Sequence, residues 1–146
     1  MLEQMSSGGS PLGLRRLVLA SPVVTVRTGV GSALRLLHEH NLPALPVVEG
    51  GRLLGLVYEK DLLRLAPSEA TTLDVFELRE VLDRLTVGRV LSRVEPLDAT
   101  ATLQQAMLAL GRSGLEAVPV MDGERLLGVL AWPALMSAFS ENLAPP

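Results

Sequence analysis

The chain has 146 residues, a formal net charge of −3 and a pI near 5.4. That length suits one domain or two small units sharing a core, and the acidic balance excludes the basic footprint of a nucleic-acid binder. There is no cysteine, apolar residues make up 48% and aromatics 3%, which excludes disulfides, thiol nucleophiles, cysteine-based zinc sites and aromatic platforms for single strands.

Mean hydropathy is +0.35, yet no run approaches the roughly 18 apolar residues of a membrane span. The excess apolar surface is therefore expected in a core or a subunit interface. Residues 1–14 read as a flexible lead-in, because Ser6 to Gly13 is rich in Ser, Gly and Pro. No basic start precedes a long apolar stretch, so a secretory leader is not expected. With no cysteine and no span, the expected location is cytoplasmic.

A short strand is predicted at Val23 to Val26. Val30, Ala33, Leu34 and Leu37 then recur at i, i+3, i+4, i+7, the apolar stripe of an amphipathic helix that Ser32 can cap. Leu45 to Val48 and Leu53 to Val57 flank Glu49-Gly50-Gly51-Arg52, a hairpin whose glycines tolerate positive φ. Glu59 to Leu65 reads as a short closing helix. In residues 71–93, Leu73, Phe76, Leu78, Val81, Leu82 and Leu85 mark one helical face. Thr71 with Asp74 offers that helix a capping box, and Glu80 with Arg84 an i, i+4 pair.

The second half repeats this order. A strand is predicted at Glu95 to Ala99. A helix follows at Leu103 to Arg112, with Thr102 and Gln105 as its capping box. A hairpin follows at Val118 to Met121 and Leu126 to Leu130, turning at Asp122-Gly123. The last helix spans Pro133 to Phe139, with Pro133 suited to its first position. Between Leu42–Leu65 and Leu115–Ala138, ten of twenty-four positions are identical without a gap, where chance gives about one or two. The strands before the helices register only with a one-residue gap. The class is α+β, in two β-α-β-β-α units: 15–70 and 94–140, joined by a helical connection over 71–93.

The stretch SPVVTV…ALRLLHEHNLPALPVVEGGRLLGLVYEKDLL resembles a cystathionine-β-synthase (CBS) domain, and the two copies resemble a CBS pair, or Bateman module. The connection ATTLDVFELREVLDRLTVGRVL is also similar to the CBS region of acetoin-utilisation B-type proteins. Those usually carry a further regulatory domain, which is not expected in this chain. The resemblance implies two pseudo-twofold-related units packed through their sheets, with clefts between them. It further implies an adenosine derivative in those clefts (AMP, ADP, ATP, S-adenosylmethionine or NAD), homodimerisation into a flat disc, and a regulatory role read by an effector protein. No enzyme activity, required cofactor, metal, nucleic acid or membrane is expected.

The resemblance also implies a ligand signature of Gly, hydrophobic, any, Thr or Ser, any, any, Asp. Its Asp would accept from ribose hydroxyls, and its hydroxyl residue and helix start would receive phosphate. In the first copy the stretch is Gly55-Leu56-Val57-Tyr58-Glu59-Lys60-Asp61. Gly55 and Asp61 match. Tyr58 replaces the small hydroxyl residue, and its ring could stack on a base or fill the pocket. Lys60, Arg64 and Arg27 could meet a phosphate. Val24, Thr25, Leu45, Pro46 and Val47 would border the adenine; ordinary strand core is their alternative reading. For Asp61 the alternative is a solvated acid favoured by the helix dipole.

In the second copy the signature reads Gly128-Val129-Leu130-Ala131-Trp132-Pro133-Ala134. Ala131 and Ala134 cannot hold a ribose, so at most one nucleotide site per chain is expected. Trp132 reads as a packing or interface residue. His38 and His40 stand two apart and do not share a helix face. Gly29-Val30-Gly31 lacks the third glycine of a dinucleotide fingerprint. The alternative to a ligand sensor is a structural dimerisation module with degenerate sites.

Overall fold

The computed structural model describes residues 13–65 and 74–143. Its helices are α1 (Val30–His40), α2 (Glu59–Leu63), α3 (Val75–Asp83), α4 (Leu103–Ser113) and α5 (Trp132–Leu143). Its strands are β1 (Ala44–Glu49), β2 (Arg52–Tyr58), β3 (Leu97–Asp98), β4 (Ala117–Asp122) and β5 (Arg125–Ala131). Two short 3-10 turns, Arg15–Leu17 and Val87–Val90, precede the repeats.

The chain divides into two compact units. One is Ser21–Val94; the other takes the described residues of Met1–Ala20 and Glu95–Pro146. The lead-in of the second repeat therefore belongs to the first unit, and the lead-in of the first repeat to the second. In the Ser21–Val94 unit, Leu56 and Ser92 exchange both backbone hydrogen bonds at 2.9 Å. In the other unit, Leu19 donates to Val129 at 2.8 Å and Val129 donates back at 3.0 Å.

In the Ser21–Val94 unit, β1 and β2 form an antiparallel hairpin with Gly55 opposite Val47. Gly50 and Gly51 both take positive φ, +57° and +77°, as a tight two-residue hairpin turn requires. Val24 adds one parallel bridge to Val47, a single pairing where the sequence predicts a strand over Val23 to Val26. α1 and α2 pack on the unit, burying Val30, Ala33, Leu37 and Leu62. The other unit is built alike. β3 pairs parallel with β4 at Leu97–Val120, and β4 pairs antiparallel with β5. Val24–Val47 and Leu97–Val120 are equivalent pairs at the hairpins' own offset. The repeat is thus gapless upstream too, and the one-residue gap read from the sequence is corrected.

The helix starts divide between expectation and correction. Thr102 and Gln105 form the expected reciprocal capping box on α4, with Gln105 N donating to Thr102 Oγ1 at 3.1 Å. Ser32 does not cap α1, which starts two residues earlier, at Val30, with Gly29 as its N-cap. Thr71 lies outside the described residues. Asp74 is itself the N-cap of α3, boxed with Glu77. On α3 the ion pair is Arg79–Asp83, Nε to Oδ2 3.9 Å, and not Glu80–Arg84. Phe76 does not join the apolar face: it is 79% exposed, while Leu82 is buried. α5 begins at Trp132, one residue ahead of Pro133.

At the end of β3, Asp98 Oδ1 accepts from Thr100 Oγ1 at 2.7 Å and from Thr100 N at 2.8 Å. The Thr100 hydroxyl bond is the largest cause, the Thr100 backbone bond the next, and together they hold the Asp98 carboxyl below 3.8. A carboxylate lowered on folding adds stability above its unfolded pKa and loses it as pH falls through the folded value. We expect Asp98→Asn, which keeps an acceptor and removes the charge, to be less stable than wild type at neutral pH. That difference should close below pH 3.8, as read by urea denaturation at several pH values. An unchanging difference would assign the effect to shape alone.

Candidate functional site

The residues singled out in the first copy all lie in the Ser21–Val94 unit. β2 ends at Tyr58 and turns directly into α2, which Glu59 N ties to the start of β1 by donating to Pro43 O at 3.0 Å. Tyr58 is 2% exposed, so its ring fills the unit; of the two sequence readings, burial favours filling. Asp61 stands in the first turn of α2 with its side chain 22% exposed, and Arg64 Nη1 meets its Oδ1 at 3.1 Å. Arg64 is 74% exposed, and a pair that open to water holds weakly and exchanges readily. α2 is five residues long, with Glu59 and Asp61 in its first turn, where the free backbone N–H groups also favour an acid. Lys60 and Arg27 are exposed.

The strand residues serve the core and the sheet. Leu45 and Val47 are fully buried core. Val24 N donates to Pro46 O at 3.0 Å, and Val24 O accepts from Val48 N at 2.9 Å. Those backbone groups are therefore committed to the ladder. Thr25 closes its own turn: its N–H donates to Thr28 Oγ1 at 3.1 Å, and its hydroxyl accepts from Arg27 N at 3.3 Å. A Cβ on Gly55 would lie 2.1 Å from Ser92 O. The glycine at this signature position is thus required by the crossing lead-in, whatever binds nearby. Sequence reading missed Ser92, because a backbone carbonyl thirty-seven residues away leaves no local signal.

In the second copy, Ala131 is buried at the end of β5 and Trp132 is half-buried at the start of α5. No side chain at either signature position can hydrogen-bond a sugar. A Cβ on Gly128 would meet Leu19 O at 2.1 Å, the same close approach as at Gly55. His38 and His40 are exposed, and among the described residues no three His, Cys, Asp or Glu gather as metal ligands. Among them, too, no helix is long and apolar enough to cross a membrane.

The CBS domain model matches residues 15–68 and 87–141. Among solved structures, one described as CBSX2 in complex with AMP is 24% identical and covers 90% of this chain and 98% of its own, with TM-score 0.68. The CBS domain of a CBS domain containing membrane protein from Sphaerobacter thermophilus is 18% identical, covers 93% and 94%, and has TM-score 0.72. A putative acetoin utilization protein (AcuB) from Vibrio cholerae is 16% identical, covers 92% and 98%, and has TM-score 0.67. At these identities the likeness is one of fold. No curated protein matches the sequence. Two matches in tandem take in most of the chain, and the gapless repeat, paired hairpins and crossing lead-ins give them a common architecture: the protein belongs to the CBS domain family.

Proposed function

We propose that this chain is a regulatory module, not a catalyst, that takes one adenosine nucleotide at its first repeat and passes the binding event to a partner protein. Asp61 is the observation that carries the reading. It is the one acid left at the ribose position of either copy, half-buried, and ion-paired with an exposed arginine. A carboxylate so placed can accept two hydrogen bonds from vicinal hydroxyls once Arg64 turns aside. Arg64, Lys60 and Arg27 supply the positive charge for a phosphate. The AMP complex of CBSX2 makes AMP the first ligand to try. A thermal-shift panel of AMP, ADP, ATP, S-adenosylmethionine and NADH tests the proposal. A ligand at about a hundred times its Kd adds about 2.7 kcal/mol to the folded state, which should raise Tm by roughly 5–10 °C. A shift with any of them that Asp61→Ala abolishes is the expected result. No shift with any of them overturns the proposal.

A structural dimerisation module is the second reading, and two observations favour it. Tyr58 fills the place of the small hydroxyl residue. Leu63 and Met136, at equivalent positions of the two closing helices, remain 53% and 48% exposed. Sedimentation of a dimer together with no shift in the panel is the pattern this reading requires.

A further inference from the structure

The connection between the repeats does more than join them. α3 and the residues after it lie along the first repeat's own loop and helix. Val30 N donates to Leu85 O at 2.9 Å, Val87 N to Thr28 O at 2.9 Å, and Gly88 N to Val26 O at 3.1 Å. The first two of these bonds make Gly29 and Thr86 an antiparallel bridge pair. The loop over 26–30, which carries Arg27, is therefore fastened on one side by the connection. At its end, α1 lacks a cap of its own. Its Ser32 N–H donates to Asp83 Oδ1 at 2.8 Å, and Ser32 Oγ donates to Asp83 Oδ2 at 3.2 Å. Asp83 thus caps α1 from the last residue of α3. The approach is close enough that Cβ atoms on Gly29 or Gly31 would lie 2.3 Å from Asp83 Oδ1 and 2.9 Å from Arg79 O.

α3 also packs along α1, with Leu78 and Val81 partly buried. Leu82 is its one buried side chain among the described residues, and a helix with so small a buried face opens at lower cost than a core element. Among the described residues, the second repeat's main helix is capped from within. Its equivalent of Gly29 is Thr102, which caps α4 with Gln105 from the same helix. Among the described residues, the main helix capped from another element is that of the repeat that keeps Asp61.

We propose that α3 with Leu85–Gly88 is a strap that docks on the first repeat through Asp83 and positions the Arg27 loop. On this account the nucleotide and the strap are coupled: docking improves nucleotide binding, and nucleotide binding favours the docked strap by the same factor. The coupling rests on the binding function proposed above; the strap itself does not. Asp83 is a positioning residue, since it acts through Ser32 and the loop.

The experiment uses the full chain, AMP as probe, and hydrogen exchange read beside titration calorimetry. Asp83→Ala should speed exchange of α3 and the first turn of α1 by about tenfold, as loss of a cap does. β1 and β2 should exchange as in wild type. The same variant should weaken AMP about three- to tenfold. Asp83→Asn, which keeps an oxygen for Ser32 N–H, should largely restore both. Gly31→Ala, which pushes on the Arg79 carbonyl without altering charge, should act like Asp83→Ala. If Asp83→Ala leaves exchange unchanged, the strap is overturned. If AMP binds wild type and Asp83→Ala equally while exchange rises, the coupling is overturned. If AMP does not bind wild type, the coupling to AMP is overturned, the remaining ligands of the panel decide the binding function, and the exchange contrast alone decides the strap.

Discussion

Alanine at Gly55 or Gly128 is expected to be among the most damaging single substitutions in this chain. Each added methyl would lie 2.1 Å from a backbone carbonyl, Ser92 O or Leu19 O. A backbone oxygen cannot swing aside as a flexible side chain can, so the lead-in itself must move. Moving it breaks the reciprocal hydrogen bonds of Ser92 with Leu56, or of Leu19 with Val129. Overpacking of this kind costs about 1–3 kcal/mol and each lost hydrogen bond about 1 kcal/mol more, so the total should reach roughly 3–5 kcal/mol. Gly128 should be the worse of the two, because its φ of +150° is one that an alanine rarely adopts. Gly111 supplies the opposite sign. It lies inside α4 with nothing within 4 Å of its added Cβ, and its alanine should stabilise by about 0.5–1 kcal/mol. Urea denaturation of the three variants checks the set. A Gly55→Ala protein within about 1 kcal/mol of wild type would contradict the crossing of the lead-in over β2.

The second large effect is expected far from either hairpin in sequence. Leu14 is 1% exposed and sits in the unit built with Glu95–Pro146. Its counterpart in the other unit is Val87, fully buried at the equivalent position. If each lead-in is a core element of the opposite repeat's unit, Leu14→Ala should cost about 2–4 kcal/mol, as much as truncating a hairpin leucine such as Leu130. Hydrogen exchange should place the damage in β4 and β5, leaving β1 and β2 protected. A loss under about 0.5 kcal/mol, the size of a surface change, would mean that the segment is not docked.

These two effects mark what the sequence could and could not reveal. The hairpins are legible because Gly50-Gly51 and Gly123 announce turns between short continuous apolar runs. The α4 capping box was legible because Thr102 and Gln105 are three residues apart. The crossing of Leu19 on Val129 and of Ser92 on Leu56 was not, since a backbone pairing between distant segments leaves no residue pattern. For the same reason the sequence offers Ser32 as a cap for its own helix, whereas its partner is Asp83, fifty-one residues on. Periodicity alone puts Phe76 on the apolar face, because it counts positions and cannot tell whether a neighbour covers them. At the candidate site, the contrast of Asp61 with Ala134 could be read from residue type. The commitment of Val24 and Pro46 to the ladder required the fold.

The most direct measurement is calorimetric titration of AMP into the wild-type chain and into Asp61→Ala. The account predicts one site per chain in wild type and at least about a tenfold loss of affinity in the variant, the scale for removing a charged hydrogen-bonding partner. Two equivalent sites per chain, or unchanged affinity without Asp61, would contradict it.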